Sequence, residues 1–419
     1  MYRKAVLANG VRLITERIPH VRSVSLGIWV TAGSRDEAGP EAGISHFIEH
    51  MVFKGTKRRD AQQIAREIDS IGGASNAFTS RETTCFHAKV LDEHLPVIVD
   101  LLSDIFLESI FKPREIERER QVVLQEIGLV QDTPDEYVHD LLSQTVWGDH
   151  PLGGPILGTN ETVMAMGRRH IRDYMRRAYR PGSVLVVAAG NVNHAALRRL
   201  IEPLFGALES SGPAPARLAP QPCSRVAVVS RELEQVHLCL GLKGPSATAE
   251  ERYAAAVLNV VLGGSMSSRL FQEVREKKGL AYSIYSFQSA YADAGMVGVY
   301  AGVDPAQVPT ALTLIVRELK RLKRTPIGEA ELRAAKEHLR GSIMLSAENT
   351  DNRMSRLAKN EMNFGRFLPY EEVIQAMEAV TARELRDLAT GLFRDEHLSV
   401  TTLGPLEEAQ LPRELLRLN

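Results

Sequence analysis

The sequence predicts an α+β fold of two homologous half-chain domains, each a mostly antiparallel sheet packed with helices. Three observations carry that reading. The halves repeat each other at one constant offset: Val24-Ser25-Leu26-Gly27-Ile28 aligns with Leu238-Cys239-Leu240-Gly241-Leu242, and Ile171-Arg172-Asp173 with Leu385-Arg386-Asp387. At the same offset Gly190 aligns with Gly404, closing a helix-then-strand unit in each half. Within each half, strand-like segments come early and late while long amphipathic helices fill the middle, a segregation unlike regular βαβ alternation. At the midpoint, Ser210-Ser211-Gly212-Pro213-Ala214-Pro215, followed by Pro220 and Pro222, is poorly tolerated by helix or central strand and reads as a linker. The expected domains are 1–209 and 225–419, joined through 210–224.

Individual elements follow from local signals. Asp60 is an N-cap with Gln63 completing a capping box; Ile64, Ile68 and Ile71 form the apolar stripe, and Gly72-Gly73 stop the helix. Pro113 to Asp132 reads as a second helix, with proline in the first turn and Ile116, Val123, Ile127 and Val130 among its apolar positions. Arg269 to Lys278 reads as a basic helix stopped by Gly279, followed by an alternating strand from Leu280 to Phe287.

Composition narrows the function classes. With 44% hydrophobic and 25% charged residues the chain has the make-up of a soluble globular protein, and no apolar stretch approaches a membrane span. A net charge of −1 gives no electrostatic reason to bind nucleic acid or anionic membrane. Cys85, Cys223 and Cys239 lack paired spacing, so neither a disulfide framework nor a thiolate metal site is expected. Residues Met1 to Pro19 lack the continuous apolar segment of a secretory signal, which with the sparse cysteines points to the cytoplasm.

The chemistry lies in His46-Phe47-Ile48-Glu49-His50. Residues four apart on a helix differ by about 40° in azimuth, so His46 and His50 share a face with Glu49 beside them. Two imidazoles can hold one zinc ion, and a hydrolytic site needs a third nitrogen or oxygen ligand while keeping a fourth position open. The helix from Pro113 offers Glu119 and Glu126, seven apart and about 20° from eclipsed, one to bind metal and the other to support it. Glu49 is then the general base of a peptide hydrolysis without covalent intermediate. A histidine pair at helical spacing is by itself most often solvated or hydrogen-bonded, and the charged run Arg114 to Arg120 is most often a solvated face. The combination carries the assignment.

These residues resemble the inverted zinc motif, HxxEH, of the pitrilysin or insulinase family. The resemblance extends over nearly the whole chain, with a branch similar to bacterial relatives of mitochondrial processing peptidase. It implies that Glu126 is the third ligand, that Glu119 supports the site from behind, and that one zinc ion is bound per chain. It also implies that Gly72 to Thr79 is a substrate-binding strand, with Asn76, Ala77 and Phe78 pairing extended peptide. An unpaired strand edge offers main-chain hydrogen bonds whatever the substrate's side chains. In the second half, Arg269 to Tyr282 is similar to the family's other signature, where Arg275 binds a substrate carbonyl and the Tyr282 hydroxyl stabilises the developing oxyanion. Read locally, the same segment is a helix end whose cations complement the dipole. The family's glycine-rich segment is reduced here to Gly263-Gly264-Ser265, which also reads as a cap on the preceding apolar helix.

The second half has no histidine between His237 and His338, so it cannot repeat the His46/His50 pair. Family members of this size assemble four half-units into a closed chamber by pairing, which implies a homodimer, or alternatively a heterodimer with an inactive homologue. A closed chamber favours peptides and unfolded or presequence-like segments as substrates. The competing function is a non-catalytic scaffold or partner subunit of the same family. Such members commonly lose ligands, whereas His46, Glu49, His50 and Glu126 are all present here. Metal-dependent hydrolysis of a non-peptide substrate is a more distant third reading.

Overall fold

The computed structural model describes residues 1–209 and 216–419; Ser210 to Pro215, the expected heart of the linker, lie outside the described residues. The chain forms two compact units. The first comprises residues 1–129, 154–217 and 345–367, the second 130–153, 218–344 and 368–419.

The first unit is built on β1 (Tyr2–Val6), β2 (Arg12–Arg17), β3 (Ser23–Val30), β4 (Ala74–Thr79), β5 (Thr84–Leu91) and β6 (Val184–Gly190). Their spatial order is β1-β2-β6-β3-β5-β4, and only β2 and β6 run parallel. The second unit contains β7 (Val226–Ser230), β8 (Val236–Gly244), β9 (Ala281–Ala290), β10 (Gly295–Val303) and β11 (Ser399–Gly404), in the order β7-β11-β8-β10-β9 with only β7 and β11 parallel. The sheets share one plan. The repeated pentapeptides lie in β3 and β8, and Gly190 and Gly404 end β6 and β11. The repeated Ile171 and Leu385 are fully buried on the helices Arg168–Ala178 and Ala382–Leu392.

The compact units differ from the contiguous halves in one respect that the sequence does not announce. One face of the first sheet carries Trp29, Cys85, Leu185 and Val187, and these are covered by Met354, Leu357 and Ala358 of the helix Thr350–Phe364, encoded in the second half. Conversely Cys239, Tyr300 and Leu403 of the second sheet are covered by Val138, Leu142 and Val146 of the helix Pro134–Trp147, encoded in the first half. Each half therefore lends a helix to the other half's sheet. An amphipathic pattern states that a helix has an apolar face, not which sheet that face meets.

The exchange explains the repeated glycine. A Cβ on Gly27 would stand 2.7 Å from Met354 Sδ, and one on Gly241 would stand 2.7 Å from Val146 Cγ2. At both glycines a side chain of the borrowed helix takes the space that a Cβ would need. Polar contacts fix the first of these helices, with Ser25 Oγ donating to Asp351 Oδ1 at 2.5 Å and Arg353 pairing with Glu16 at 2.7 Å. No described helix is long and apolar enough to cross a membrane.

Candidate metal centre

The motif occupies a helix of two turns, Ile44–Met51. Ile44, Phe47, Ile48 and Met51 are buried in the core of the first unit, which leaves His46, Glu49 and His50 on the other face. Just before it, Gly43 adopts φ +89°, the left-handed region that glycine reaches without strain.

The helix Pro113–Gln131 buries Ile116, Val123 and Ile127 as its apolar spacing requires. It also buries Arg120, whose guanidinium donates to the carbonyls of Val163, Met164 and Met166 and pairs with Glu117. A run that reads as a solvated face thus includes an anchor. The anchor fixes the helix that presents Glu119 and Glu126.

Three side chains converge. Glu126 Oε2 lies 3.5 Å from His46 Nε2 and 3.3 Å from His50 Nε2. A tetrahedral zinc with nitrogen and oxygen ligands at ~2.0–2.1 Å spaces its donors by about 3.3 Å, so the set fits that ion in both chemistry and size. Among the described residues it is the one group of three or more His, Cys, Asp or Glu with such convergence. Behind it, Glu119 Oε2 lies 3.2 Å from His50 Nδ1 and Glu119 Oε1 lies 2.8 Å from Lys54 Nζ. A carboxylate on the far nitrogen orients an imidazole and raises its basicity as a ligand. His46 Nδ1 is buried without such a partner.

Electrostatics follow from this packing. Burial, with the neighbouring His50, pushes His46 down to about 4, leaving it neutral with a free lone pair at neutral pH. Burial opposes protonation of His50 too, but the hydrogen bond to Glu119 and the charges of Glu126, Glu119 and Glu49 outweigh it and raise its pKa. Glu119 is itself held low: burial is overcome by His50 and Lys54. Glu49 is raised by burial, partly offset by Thr79 and His50.

Thr79 ends β4, which brings the predicted substrate strand alongside Glu49. β4 pairs on one side only, through Asn76↔His87, Ala77↔Phe86 and Phe78↔Cys85, and stands at the edge of its sheet. Phe78 meets Trp29 and His87 edge-on, at 5.4 and 6.0 Å between ring centroids.

Arg275 and Tyr282 belong to the other compact unit, where the Arg275 guanidinium lies 4.7 Å from the Phe271 ring and 5.0 Å from the Tyr282 ring. Tyr282 is 81% exposed. The expected ordinary helix is instead a wide π-turn over Phe271–Glu276, with Lys277 N bonding Gln272 O at 3.0 Å. Gly279, at φ +62°, ends it, and β9 follows at the edge of the second sheet, as β4 lies at the edge of the first. Gly263 and Gly264 both donate to Asn259 O, capping the helix Arg252–Leu262.

Sequence reasoning missed Lys54 and Glu37, and read Thr79 only as the end of the substrate strand, not as a neighbour of Glu49. Lys54 and the Thr79–Glu49 contact arise through tertiary packing and leave no signal in spacing. Glu37, which accepts hydrogen bonds from Gly43 N and Ser45 N, is foreshadowed only as an acidic residue shortly before the helix start.

A family profile described as insulinase (peptidase family M16) matches residues 12–160, and one described as peptidase M16 inactive domain matches residues 165–339. The uncharacterized zinc protease YmxG of Bacillus subtilis is 45% identical over 95% of this chain and 97% of its own length. An uncharacterized zinc protease of Streptomyces coelicolor is 40% identical over 98% of this chain and 91% of its own. A solved protease from Helicobacter pylori shares the fold, with a TM-score of 0.90 over 96% of this chain and 99% of that one at 23% identity.

Proposed function

The chain belongs to the insulinase family, peptidase family M16, and from that premise we propose that it is a zinc-dependent endopeptidase acting on peptides and unfolded or presequence-like segments. The observation that carries this reading is the convergence of His46, His50 and Glu126 at zinc-ligand spacing beside the carboxylate of Glu49 and an unpaired strand edge.

His46, His50 and Glu126 would hold the metal, with Glu119 orienting His50 through Nδ1. Zinc, when bound, would supply Lewis acidity and lower the pKa of its water to about 7. Glu49 takes the proton of the attacking water and passes it to the leaving amine, so one carboxylate serves as base and then acid. Within the stretch Asn76, Ala77 and Phe78, the N–H and C=O groups of β4 that face away from β5 hold the substrate backbone as an added strand. Arg275 grips a substrate carbonyl and Tyr282 stabilises the oxyanion, their rings and guanidinium already stacked together. One zinc ion per chain and assembly as a homodimer complete the reading. Three free cysteines are compatible with the cytoplasm.

Pairing through β4 demands an extended substrate. A quenched fluorescent peptide is therefore expected to be cut, while a folded, loop-poor protein of the same sequence content is spared until unfolded. Equal rates on the folded protein and the peptide contradict the reading.

A further inference from the structure

We infer that Glu37 is a positioning residue of the metal centre: its carboxylate fixes the end of the helix from which His46 projects and ties that helix to the turn after β4. The inference rests on the zinc reading above.

A helix leaves its first N–H groups without intrahelical partners, and in ordinary caps a Ser, Thr, Asp or Asn side chain at the N-cap accepts from them. Here the N-cap is Gly43, which has no side chain to offer. Nor is there room for one: a Cβ would stand 2.4 Å from Leu157 O and 2.8 Å from the Gly158 backbone. The missing acceptor comes from elsewhere. Glu37 Oε2 accepts from Gly43 N at 2.7 Å and Oε1 from Ser45 N at 2.8 Å, one N–H to each oxygen. Burial pushes Glu37 up to about 8, while the two N–H donors and the positive end of the helix dipole favour its ionised form. Ser45 is held on its other side, its hydroxyl 2.7 Å from that of Tyr174.

The segment bearing Glu37 is itself fastened to the hairpin that continues β4. Ser34 N bonds Ser80 O at 3.1 Å, Arg35 N bonds Arg81 O at 2.8 Å, and the Arg35 guanidinium pairs with Glu82 at 2.7 Å. Ser80 directly follows Thr79, the residue beside Glu49. A short chain of hydrogen bonds thus runs from the end of the substrate strand, through Glu37, to the backbone immediately before His46. The helix has only two turns, so a shift at its start displaces His46 against a Glu126 carried by a different helix. Glu37 is buried, and the proposed catalysis gives it no other task.

The test compares zinc affinity with stability. Zinc dissociation constants are measured by competition with a chromophoric chelator, alongside urea unfolding of the metal-free chain, for wild type, Glu37→Gln, Glu37→Asp and Glu361→Gln. Glu361 is the control, a buried carboxylate of the same unit that pairs with Lys4 at 2.7 Å, away from the metal helix. Glutamine keeps one acceptor but turns an NH2 group toward the second N–H. Glu37→Gln is expected to weaken zinc binding by about 10–100-fold, the range for groups that support metal ligands, and to lower kcat more than it changes KM. Glu361→Gln is expected to lose stability at unchanged zinc affinity. Should Glu37→Gln fail to fold, Glu37→Asp, which keeps the carboxyl group but draws it back by one methylene, must still weaken zinc. Wild-type zinc affinity in the folded Glu37 variant, with stability lost as in the control, overturns the inference and leaves an ordinary cap. A wild-type chain that takes up no zinc overturns the reading on which it rests.

Discussion

Glu49→Gln is expected to keep its zinc and lose its activity. The glutamine has the same shape and Glu49 is outside the converging donor set, so nothing in the metal centre need move. What disappears is proton acceptance, because an amide cannot take a proton from water at neutral pH. Positioned acid–base groups contribute about 10²–10⁴-fold to rate, and kcat/KM should fall by that factor with zinc content unchanged. Metal analysis and hydrolysis of a quenched fluorescent peptide read the two effects separately. An undiminished rate removes Glu49 from the chemistry.

His46→Ala is expected to fail at the earlier step, by not holding zinc. Groups that merely support metal ligands cost about 10–100-fold in affinity when removed, so loss of a ligand itself should cost at least about 100-fold. The wild-type His46 imidazole is held neutral by its burial, so protons compete little at this ligand at neutral pH, whereas His50, whose pKa is raised, must release its proton to bind. The fold should survive, because His46 lies on the helix face opposite Ile44, Phe47, Ile48 and Met51. Far-ultraviolet circular dichroism is expected to match wild type while bound zinc and peptide hydrolysis are lost together. Full zinc occupancy in this variant contradicts the ligand assignment.

The two variants differ in which property they lose, and that difference mirrors what the sequence discloses. Helix spacing alone places His46, Glu49 and His50 on one face, and the capping box of Asp60 and Gln63 forms as its pattern requires, with Gln63 N bonding Asp60 Oδ1 at 2.8 Å. Such local relations are legible because they depend on backbone geometry within a few residues. The choice between Glu119 and Glu126 is different in kind. Both share a helix face, and only the approach of a second helix sets Glu126 against both Nε2 atoms and Glu119 against the far nitrogen of His50. Glu37 was illegible for the same reason: a carboxylate that caps another segment's helix leaves no periodic trace.

The fold shows a parallel division. Repetition in the sequence exposes two equivalent sheets because β3 and β8 keep their apolar residues and their glycine. It does not expose the exchange of the helices Pro134–Trp147 and Thr350–Phe364, since the partner of an apolar face is a tertiary fact. The π-turn at Phe271–Glu276 likewise departs from the helix that its composition predicts, and it carries Arg275, whose guanidinium stacks over Tyr282.

On the proposed function, peptide hydrolysis requires a single zinc ion held by His46, His50 and Glu126. The decisive experiment is to titrate zinc into the metal-stripped full chain while following both bound metal and cleavage of a quenched peptide. Activity is predicted to be absent at the start, to rise in step with bound zinc, and to level off at one ion per chain. Hydrolysis that proceeds undiminished in the stripped chain, or that fails to follow zinc binding, contradicts it.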